Sequence, residues 1–139
     1  MEDKTKLETY RGAVATWECD SNGHMNVMYY INKYELAGRQ FFGQVGIQKN
    51  LLKGENLGVA VVEQNIKYLQ EVFEDDLLHI KSHVQNFTEK VMVIQHELYL
   101  TNTNQKVSEA TVKLLLFDKT KRKAIKIPPL VKANLEKLV

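Results

Sequence analysis

The chain has 139 residues, of which 44% are hydrophobic and 26% are charged, and its formal net charge is +2. This length suits one domain spanning residues 1–139, and this composition excludes disordered and fibrous proteins. The small net charge gives no indication of a nucleic-acid partner.

The first predicted elements are a strand and a turn. Residues Tyr10–Trp17 alternate in the manner of a strand. Asn22 and Gly23 then form a strong turn signal.

The strongest helical pattern in the chain follows this turn. Apolar residues recur at spacings of three and four between Val27 and Val45, which predicts a helix of about 20 residues. Asn26 occupies the N-cap position, and Gly43 and Gly46 supply the stop. The predicted apolar face comprises Val27, Tyr30, Ile31, Tyr34, Ala37, Phe41 and Val45. The predicted polar face comprises Asn32, Lys33, Glu35, Arg39, Gln40 and Gln44.

Four strand-like segments follow the helix, each rich in Val, Ile, Leu, Tyr or Phe. They are Gly58–Leu69, Leu77–Asn86, Lys90–Leu100 and Lys106–Phe117. The short polar links between them favour sequential antiparallel pairing, that is, a meander. A short amphipathic helix is predicted at the end of the chain, with Val131, Leu135 and Leu138 on one side.

These elements predict an α+β fold in which one long central helix packs against one antiparallel sheet of about five strands. A single helix cannot cover both faces of such a sheet, so the other face or an edge needs a partner. We therefore predict a homodimer or a homotetramer.

The sequence also predicts the compartment. The only cysteine, Cys19, cannot form an intrachain disulfide, which is typical of a reducing environment. The charged N-terminal segment has no apolar region of the signal-peptide kind, and no apolar run approaches the ~20 residues that cross a bilayer. We expect a cytoplasmic protein without a membrane partner.

Polar residues are dense between the first strand and the helix, in the segment ECDSNGHMN. Asp20, Asn22, His24 and Asn26 fall within seven positions at the predicted helix N-terminus. That end of a helix carries free N–H groups and roughly half a positive charge, so it can stabilise the oxyanion of an acyl transfer. A carboxylate beside an oxyanion site is the minimum equipment for hydrolysing a thioester. The alternative is that Asp20 is only a turn residue.

The pattern D-x-x-G-H-x-N, followed by a tyrosine on a long helix, resembles the 4-hydroxybenzoyl-CoA thioesterase family of hot-dog proteins and the related long-chain acyl-CoA thioesterases. The segment VVEQNIKYLQEVFEDDLLHIKSHV resembles the second strand, turn and third strand of that family, with Asp75-Asp76 in place of Gly-Asp. The resemblance covers about residues 8–128. The variant DxNGHMN is similar to members found near carnitine and betaine metabolism.

The resemblance implies a hot-dog acyl-CoA thioesterase that needs no cofactor. Asp20 matches the catalytic carboxylate of the family, which acts as a general base on water or as a nucleophile through a mixed anhydride. The backbone N–H of Val27 matches the group that polarises the thioester carbonyl.

Four further residues match positions of the same motif or follow it. Gly23 matches the position that lets the backbone turn tightly beside the acyl group. His24 and Asn26 match positions that orient the loop or the carbonyl. Tyr30, one helical turn beyond Val27, is placed to line the acyl pocket.

The other substrate-binding candidates are charged. Glu63 is either a structural charge on an edge strand or a second carboxylate near the thioester, with its pKa raised by desolvation. Arg122 and Lys123 belong to a basic run, which is either a solvated loop or a contact for the phosphates of coenzyme A. Lys90 is a further candidate for the same role.

Other chemistries are less well supported by the sequence. His79 and His83 share one face of a strand, but no third metal ligand accompanies them, so no metal site is predicted. Two alternative functions stay open. One is a non-catalytic acyl-CoA-binding protein of the same fold. The other is an enoyl-CoA hydratase, whose D-x-N-P-x-H pattern places the histidine five residues after the aspartate, whereas His24 is four residues after Asp20.

Overall fold

One long helix packs against one face of an antiparallel sheet. The computed structural model describes residues 3–139. In chain order its helices and strands are β1 (Leu7–Ala13), α1 (Val27–Val45), α2 (Lys49–Gly54), β2 (Leu57–Tyr68), β3 (Leu77–Phe87), β4 (Val91–Leu100), β5 (Gln105–Asp118), β6 (Lys123–Ala124) and α3 (Pro129–Glu136).

The strands are ordered β1-β3-β4-β5-β2, with β6 beside β5, and every pair is antiparallel. The predicted architecture of one long helix against about five strands is confirmed. The predicted sequential meander is wrong for β2, which pairs with β5 and not with β3. The link from β2 to β3 crosses the end of the sheet, because the Leu69 N–H donates to the Val107 carbonyl at 2.9 Å.

The bounds of β2, β3, β4 and β5 agree with the predicted segments within one residue. The first strand differs more, since β1 ends at Ala13 and Thr16–Glu18 form a 3₁₀ turn. This turn closes because the Glu18 carboxylate accepts the Ala15 N–H at 2.8 Å while the Glu18 N–H donates to the Ala15 carbonyl at 3.0 Å.

Helix α1 begins and ends where the sequence predicts. The Asn26 side chain accepts the Met28 N–H as an N-cap, and Gly46 ends the helix in the left-handed region with a φ of 97°. Most of the predicted apolar face is buried, namely Tyr30, Tyr34, Ala37, Phe41 and Val45. Val27 and Ile31 are exceptions, at 53% and 39% exposed. Val27 is exposed because it lies in the first turn and lines an open cavity.

The outer face of the sheet carries its own charge network. The Lys6 ammonium lies 3.0 Å from the Glu97 carboxylate, and the Lys106 ammonium lies 3.1 Å from Glu97 and 3.0 Å from Glu109. The free edges of the sheet are those of β1 and β2, because within residues 3–139 β1 pairs with β3 alone and β2 pairs with β5 alone.

Two short helices flank α1. Helix α2 was not predicted, and it covers the start of β2. The predicted C-terminal helix is confirmed as α3, and Val131, Leu135 and Leu138 are 1%, 0% and 8% exposed. In the described part of the chain, no helix has the length and apolar character that crossing a membrane requires.

Candidate active site

The polar motif forms a tight loop that enters helix α1. The Asp20 N–H donates to the His24 carbonyl at 3.0 Å, and the Gly23 N–H donates to the Asp20 carbonyl at 2.9 Å. Gly23 has a φ of 86°, a conformation that other residues adopt only with strain. The Asn22 N–H donates to Asp20 Oδ1 at 2.9 Å, which completes an Asx turn.

The second carboxylate oxygen of Asp20 is tied to the helix. Asp20 Oδ2 accepts the Asn26 side-chain amide at 3.1 Å, and Asn26 Oδ1 accepts the Met28 N–H at 3.1 Å. The Asn22 N–H and then the Asn26 amide lower the pKa of Asp20 below its ordinary value. The carboxylate is therefore ionised at neutral pH, and each oxygen keeps a lone pair for a further contact.

The first N–H of the helix is available for a ligand. Among the described residues, the Val27 N–H has no acceptor, whereas Met28 and Tyr29 donate to the side chain and carbonyl of Asn26. A free N–H at a helix N-terminus is a binding site for partial negative charge. Asn26 thus links the Asp20 carboxylate to the Met28 N–H in the first turn of the helix, the turn in which the Val27 N–H is left without an acceptor.

His24 is held by the backbone of its own loop. Its Nδ1 lies 3.1 Å from the Met25 carbonyl, so Nδ1 carries the proton when the ring is neutral. Its Nε2 lies 3.8 Å from the Glu71 carboxylate, on the link between β2 and β3. The backbone fastens the loop to this link, because the Met25 N–H donates to the Val72 carbonyl at 2.9 Å.

A cavity of about 220 Å³ opens beside the motif. Val27 and Tyr30 of α1 form one wall, and Tyr68 at the end of β2 forms another. The Tyr30 and Tyr68 rings meet edge to face with centroids 5.0 Å apart. Burial raises the pKa of Tyr30 to about 12, so its hydroxyl stays neutral. The predicted position of Tyr30 beside the motif agrees with this geometry.

A buried ion pair behind the loop was not predicted. Lys33 was placed on the polar face of the helix, but it is 2% exposed, and its ammonium lies 2.8 Å from Glu18 Oε2. Glu18 also accepts the Asn26 N–H at its backbone carbonyl, at 2.8 Å. The pair therefore fixes the 3₁₀ turn and the helix on either side of Asp20. The helical pattern gave no signal for it, because Glu18 lies outside the helix.

A second and larger cavity, of about 630 Å³, lies between α1, α2 and β2. Its inner wall is mostly apolar, and it includes the buried ring of His96 from β4. The apolar lining comprises Phe42, Ile47, Leu52, Val59, Val61, Val112 and Leu114. The sequence did not single out His96, which stands among apolar residues with no motif around it.

The charged candidates lie away from Asp20 within one protomer. Glu63 is on the outer face of β2, where its carboxylate lies 3.3 Å from the Lys113 ammonium. Lys90 lies in the turn between β3 and β4, and Arg122 and Lys123 lie on the hairpin of β5 and β6. These three cations are at the opposite end of the sheet from the motif, roughly 30 Å away at about 3.3 Å per strand residue.

The long helix across a curled antiparallel sheet defines the hot-dog class. The model of the thioesterase-like superfamily matches residues 14–135. The chain therefore belongs to the thioesterase-like superfamily and is a thioester hydrolase.

The betainyl-CoA thioesterase of Pseudomonas aeruginosa is 23% identical over 109 residues, which are 78% of this chain and 69% of that protein. A 1,4-dihydroxy-2-naphthoyl-CoA thioesterase from Synechocystis has a TM-score of 0.84 at 13% identity, covering 96% of this chain and 97% of its own. A Staphylococcus aureus protein solved in complex with CoA has a TM-score of 0.85 at 15% identity, covering 99% of this chain and 87% of its own.

Proposed function

We propose that this protein hydrolyses an acyl-CoA thioester to the free acid and coenzyme A, with Asp20 as the reacting carboxylate. The observation that carries this proposal is the connection through Asn26. One hydrogen-bonded residue holds an ionised carboxylate and leaves the Val27 N–H free at the helix N-terminus. A thioester carbonyl oxygen bound to that N–H exposes its carbon to Asp20.

The chemistry follows two routes from this arrangement. In the first, Asp20 removes a proton from a water molecule that attacks the carbonyl carbon. In the second, Asp20 attacks the carbon itself, the coenzyme A thiolate leaves, and water hydrolyses the mixed anhydride. In both, the Val27 N–H stabilises the oxyanion of the tetrahedral intermediate. Gly23, His24 and Asn26 hold the loop, and Tyr30 lines the acyl entrance.

The Asn22 N–H and the Asn26 amide, which lower the pKa of Asp20, keep the carboxylate ionised, and both routes require that form. Hydroxylamine added during turnover separates the routes. Attack of hydroxylamine at the aspartyl carbonyl of a mixed anhydride releases the free acid and leaves a hydroxamate on Asp20, which mass spectrometry of the digested protein detects. Attack at the acyl carbonyl gives an acyl hydroxamate and regenerates Asp20. Absence of both an Asp20 hydroxamate and any enzyme-dependent acyl hydroxamate would support the general-base route.

Thiol release from a panel of acyl-CoAs tests the reaction. The panel includes betainyl-CoA and 1,4-dihydroxy-2-naphthoyl-CoA, the substrates in the names of two relatives. We expect Asp20→Asn to lower kcat by about 10²–10⁴. Asp3→Asn is a matched control, because Asp3 also forms an Asx turn, with the Thr5 N–H at 2.9 Å.

The outcomes separate the alternative functions. Near wild-type rates in Asp20→Asn would remove this residue from the mechanism. Tight coenzyme A binding without release of thiol from any thioester would identify a binding protein. Loss of the enoyl absorbance of crotonyl-CoA without thiol release would identify a hydratase.

A homodimer formed through the free edge of β2 completes this proposal. Val61 and Val62 on this strand are 47% and 57% exposed, and a long apolar edge favours pairing with a second strand. Val62→Lys, which places a charge on the edge, is expected to give a monomer by light scattering. Leu130→Lys, a change at an exposed leucine of α3, is the control and should not alter the mass.

The dimer also provides a role for the distant cations. Antiparallel pairing of two β2 strands about a two-fold axis brings the Leu57 end of one copy to the Tyr68 end of the other. The Asp20 site of one copy is then approached by two parts of the other copy: the hairpin with Arg122 and Lys123, and the turn with Lys90. These cations are placed to meet the phosphates of the coenzyme A that extends from that site. Replacing Arg122 and Lys123 by Gln should raise KM for an acyl-CoA and leave KM for the acyl-pantetheine unchanged.

A further inference from the structure

The larger cavity has two buried polar rings in its inner wall, Tyr34 and His96. Its exposed polar and charged lining comprises Glu35, Arg39, Lys49, Lys53 and Gln64. His96 is 2% exposed and lies on the inner face of β4, between Ile94 and Leu98. Its ring stacks on Tyr34, with centroids 5.8 Å apart. The Tyr34 hydroxyl is already bonded to Ser108 at 2.7 Å, so His96 supplies the polar atom that the protein leaves free at this wall.

The orientation of the ring follows from its contacts. His96 Nδ1 lies 2.5 Å from Ser82 Oγ on β3, and Ser82 Oγ lies 2.7 Å from Thr9 Oγ1 on β1. Because the two ring nitrogens lie on opposite sides of an imidazole, Nε2 points away from β3, toward β5 and β2. The cavity lies on that side.

The Nε2 atom is open to the cavity. Among the described residues, His96 Nε2 has no hydrogen-bond partner. The only side-chain nitrogen or oxygen of these residues that is both fully buried and without a partner is His83 Nδ1. His96 Nε2 is therefore not fully buried. It is in contact with free space, and the cavity is the space that His96 lines.

The charge state of His96 limits what it can bind. Burial, with a smaller effect from His83, lowers the pKa of His96 to about 4. The ring is neutral at physiological pH, so Nε2 either donates or accepts one hydrogen bond. A hydroxyl group satisfies both cases, because it can donate and accept. A carboxylate matches only one of them.

Residues of α1 and β2 line both cavities. Val27, Tyr30 and Tyr68 line the smaller one, whereas Tyr34 and Gln64 line the larger one. Tyr34 is seven residues beyond Val27 on α1, which corresponds to about 10 Å at 1.5 Å per residue. A medium-length acyl chain whose carbonyl is bound at the Val27 N–H is long enough to span this distance.

We propose that the larger cavity holds the distal part of a linear acyl chain and that His96 Nε2 hydrogen-bonds to a hydroxyl group on it. This inference rests on the proposed hydrolysis of acyl-CoA and names its substrate class, medium-length acyl chains hydroxylated far from the thioester. The preference over the unsubstituted chain is about tenfold, the effect of one net hydrogen bond in a cavity that water can also enter.

The test compares kcat/KM for 8-hydroxyoctanoyl-CoA and octanoyl-CoA. We expect a ratio near ten for the wild type and near one for His96→Leu. Gln44→Leu is the control, because Gln44 is an exposed residue of α1 that does not line this cavity, and its ratio should stay near ten. Thiol release from butanoyl-CoA, which is too short to reach His96, reports whether the catalytic loop is intact in each variant.

A spectroscopic measurement keeps the inference testable if His96→Leu does not fold. In ¹⁵N-histidine-labelled Asp20→Asn protein, 8-hydroxyoctanoyl-CoA should shift the His96 Nε2 resonance and octanoyl-CoA should not. A wild-type ratio near one, a ratio unchanged in His96→Leu, or equal resonance shifts with both ligands would overturn the inference and leave the hydrolase proposal standing. Absence of thiol release from every acyl-CoA would instead refute the proposed function, while the resonance shifts would still decide the role of His96.

Discussion

Replacement of Lys33 by Met tests the buried ion pair behind the loop that carries Asp20. The Lys33 and Glu18 side chains are 3% and 10% exposed, and 2.8 Å separates their charged atoms. Lys33→Met leaves the Glu18 carboxylate buried, with the Ala15 N–H as its remaining side-chain partner. Removing one member of a buried pair costs about 3–5 kcal/mol in the free energy of unfolding. The total free energy of unfolding of a domain of this size is about 5–15 kcal/mol.

Urea unfolding followed by circular dichroism measures this loss. The set comprises Lys33→Met, Glu18→Gln and the double variant, and Lys53→Met is the control at an exposed lysine of α2. We expect the control to change the free energy of unfolding by less than about 0.5 kcal/mol. The loss in free energy of unfolding should be smaller for the double variant than the summed losses of the two single variants, by at least about 1 kcal/mol. The reason is that the double variant buries no unpaired charge.

The kinetic effect of Lys33→Met follows from the Glu18 carbonyl, which accepts the Asn26 N–H. A turn that loses its anchor positions Asp20 less well, so kcat should fall more than KM rises. Two results would refute this reasoning. One is a free energy of unfolding for Lys33→Met equal to that of Lys53→Met. The other is strict additivity in the double variant.

Three further predictions concern pH, the helix cap and the core. The pKa of His96 is about 4 in the folded protein against 6.5 for a free histidine, so the unfolded chain binds more protons between these values. The free energy of unfolding should therefore fall by about 3 kcal/mol as the pH drops from 7 to 4. Urea unfolding at each pH measures this fall, and His96→Asn should lack the part of it that is due to His96. Asn26→Ala should lower the free energy of unfolding by about 1 kcal/mol through the lost N-cap. It should also lower kcat, because Asp20 loses the amide hydrogen bond. An unchanged kcat would contradict the proposed role of Asn26. Phe41→Ala leaves a cavity at a side chain that is 0% exposed. Its free energy of unfolding, measured by heat or urea, should fall by about 3–5 kcal/mol. A loss of less than about 1 kcal/mol would indicate a loosely packed core.

The predictable part of the fold is the part that local sequence determines. Helix α1 begins at Asn26 and ends at Gly46 because its caps and its apolar spacing lie within one segment. The pairing of β2 with β5 depends on how the link after Tyr68 docks on Val107, which is far away in the sequence. Short links alone favoured a meander, and this long-range contact overrode them.

The same distinction holds at the site. Asp20, Asn26 and Val27 lie within one short motif, so their juxtaposition could be foreseen from the sequence. The chain of hydrogen bonds that orients His96 draws Thr9, Ser82 and His96 from three strands. No local pattern joins those positions, and a histidine among apolar residues is as consistent with a core as with a cavity wall.

The chemistry proposed for Asp20 gives a reason for association that is independent of the sheet edge. In one protomer the carboxylate is only half-buried, and an anion in contact with water is a weak nucleophile because its hydration shell must first be removed. Three apolar side chains near it, Trp17, Val27 and Met28, are 78%, 53% and 61% exposed. A second copy and the acyl chain that cover this apolar surface would also exclude water from Asp20, which strengthens the interaction of the Val27 N–H with the oxyanion. Formation of the dimer would therefore also activate the carboxylate. We expect the dimer, and not the monomer, to be catalytically active.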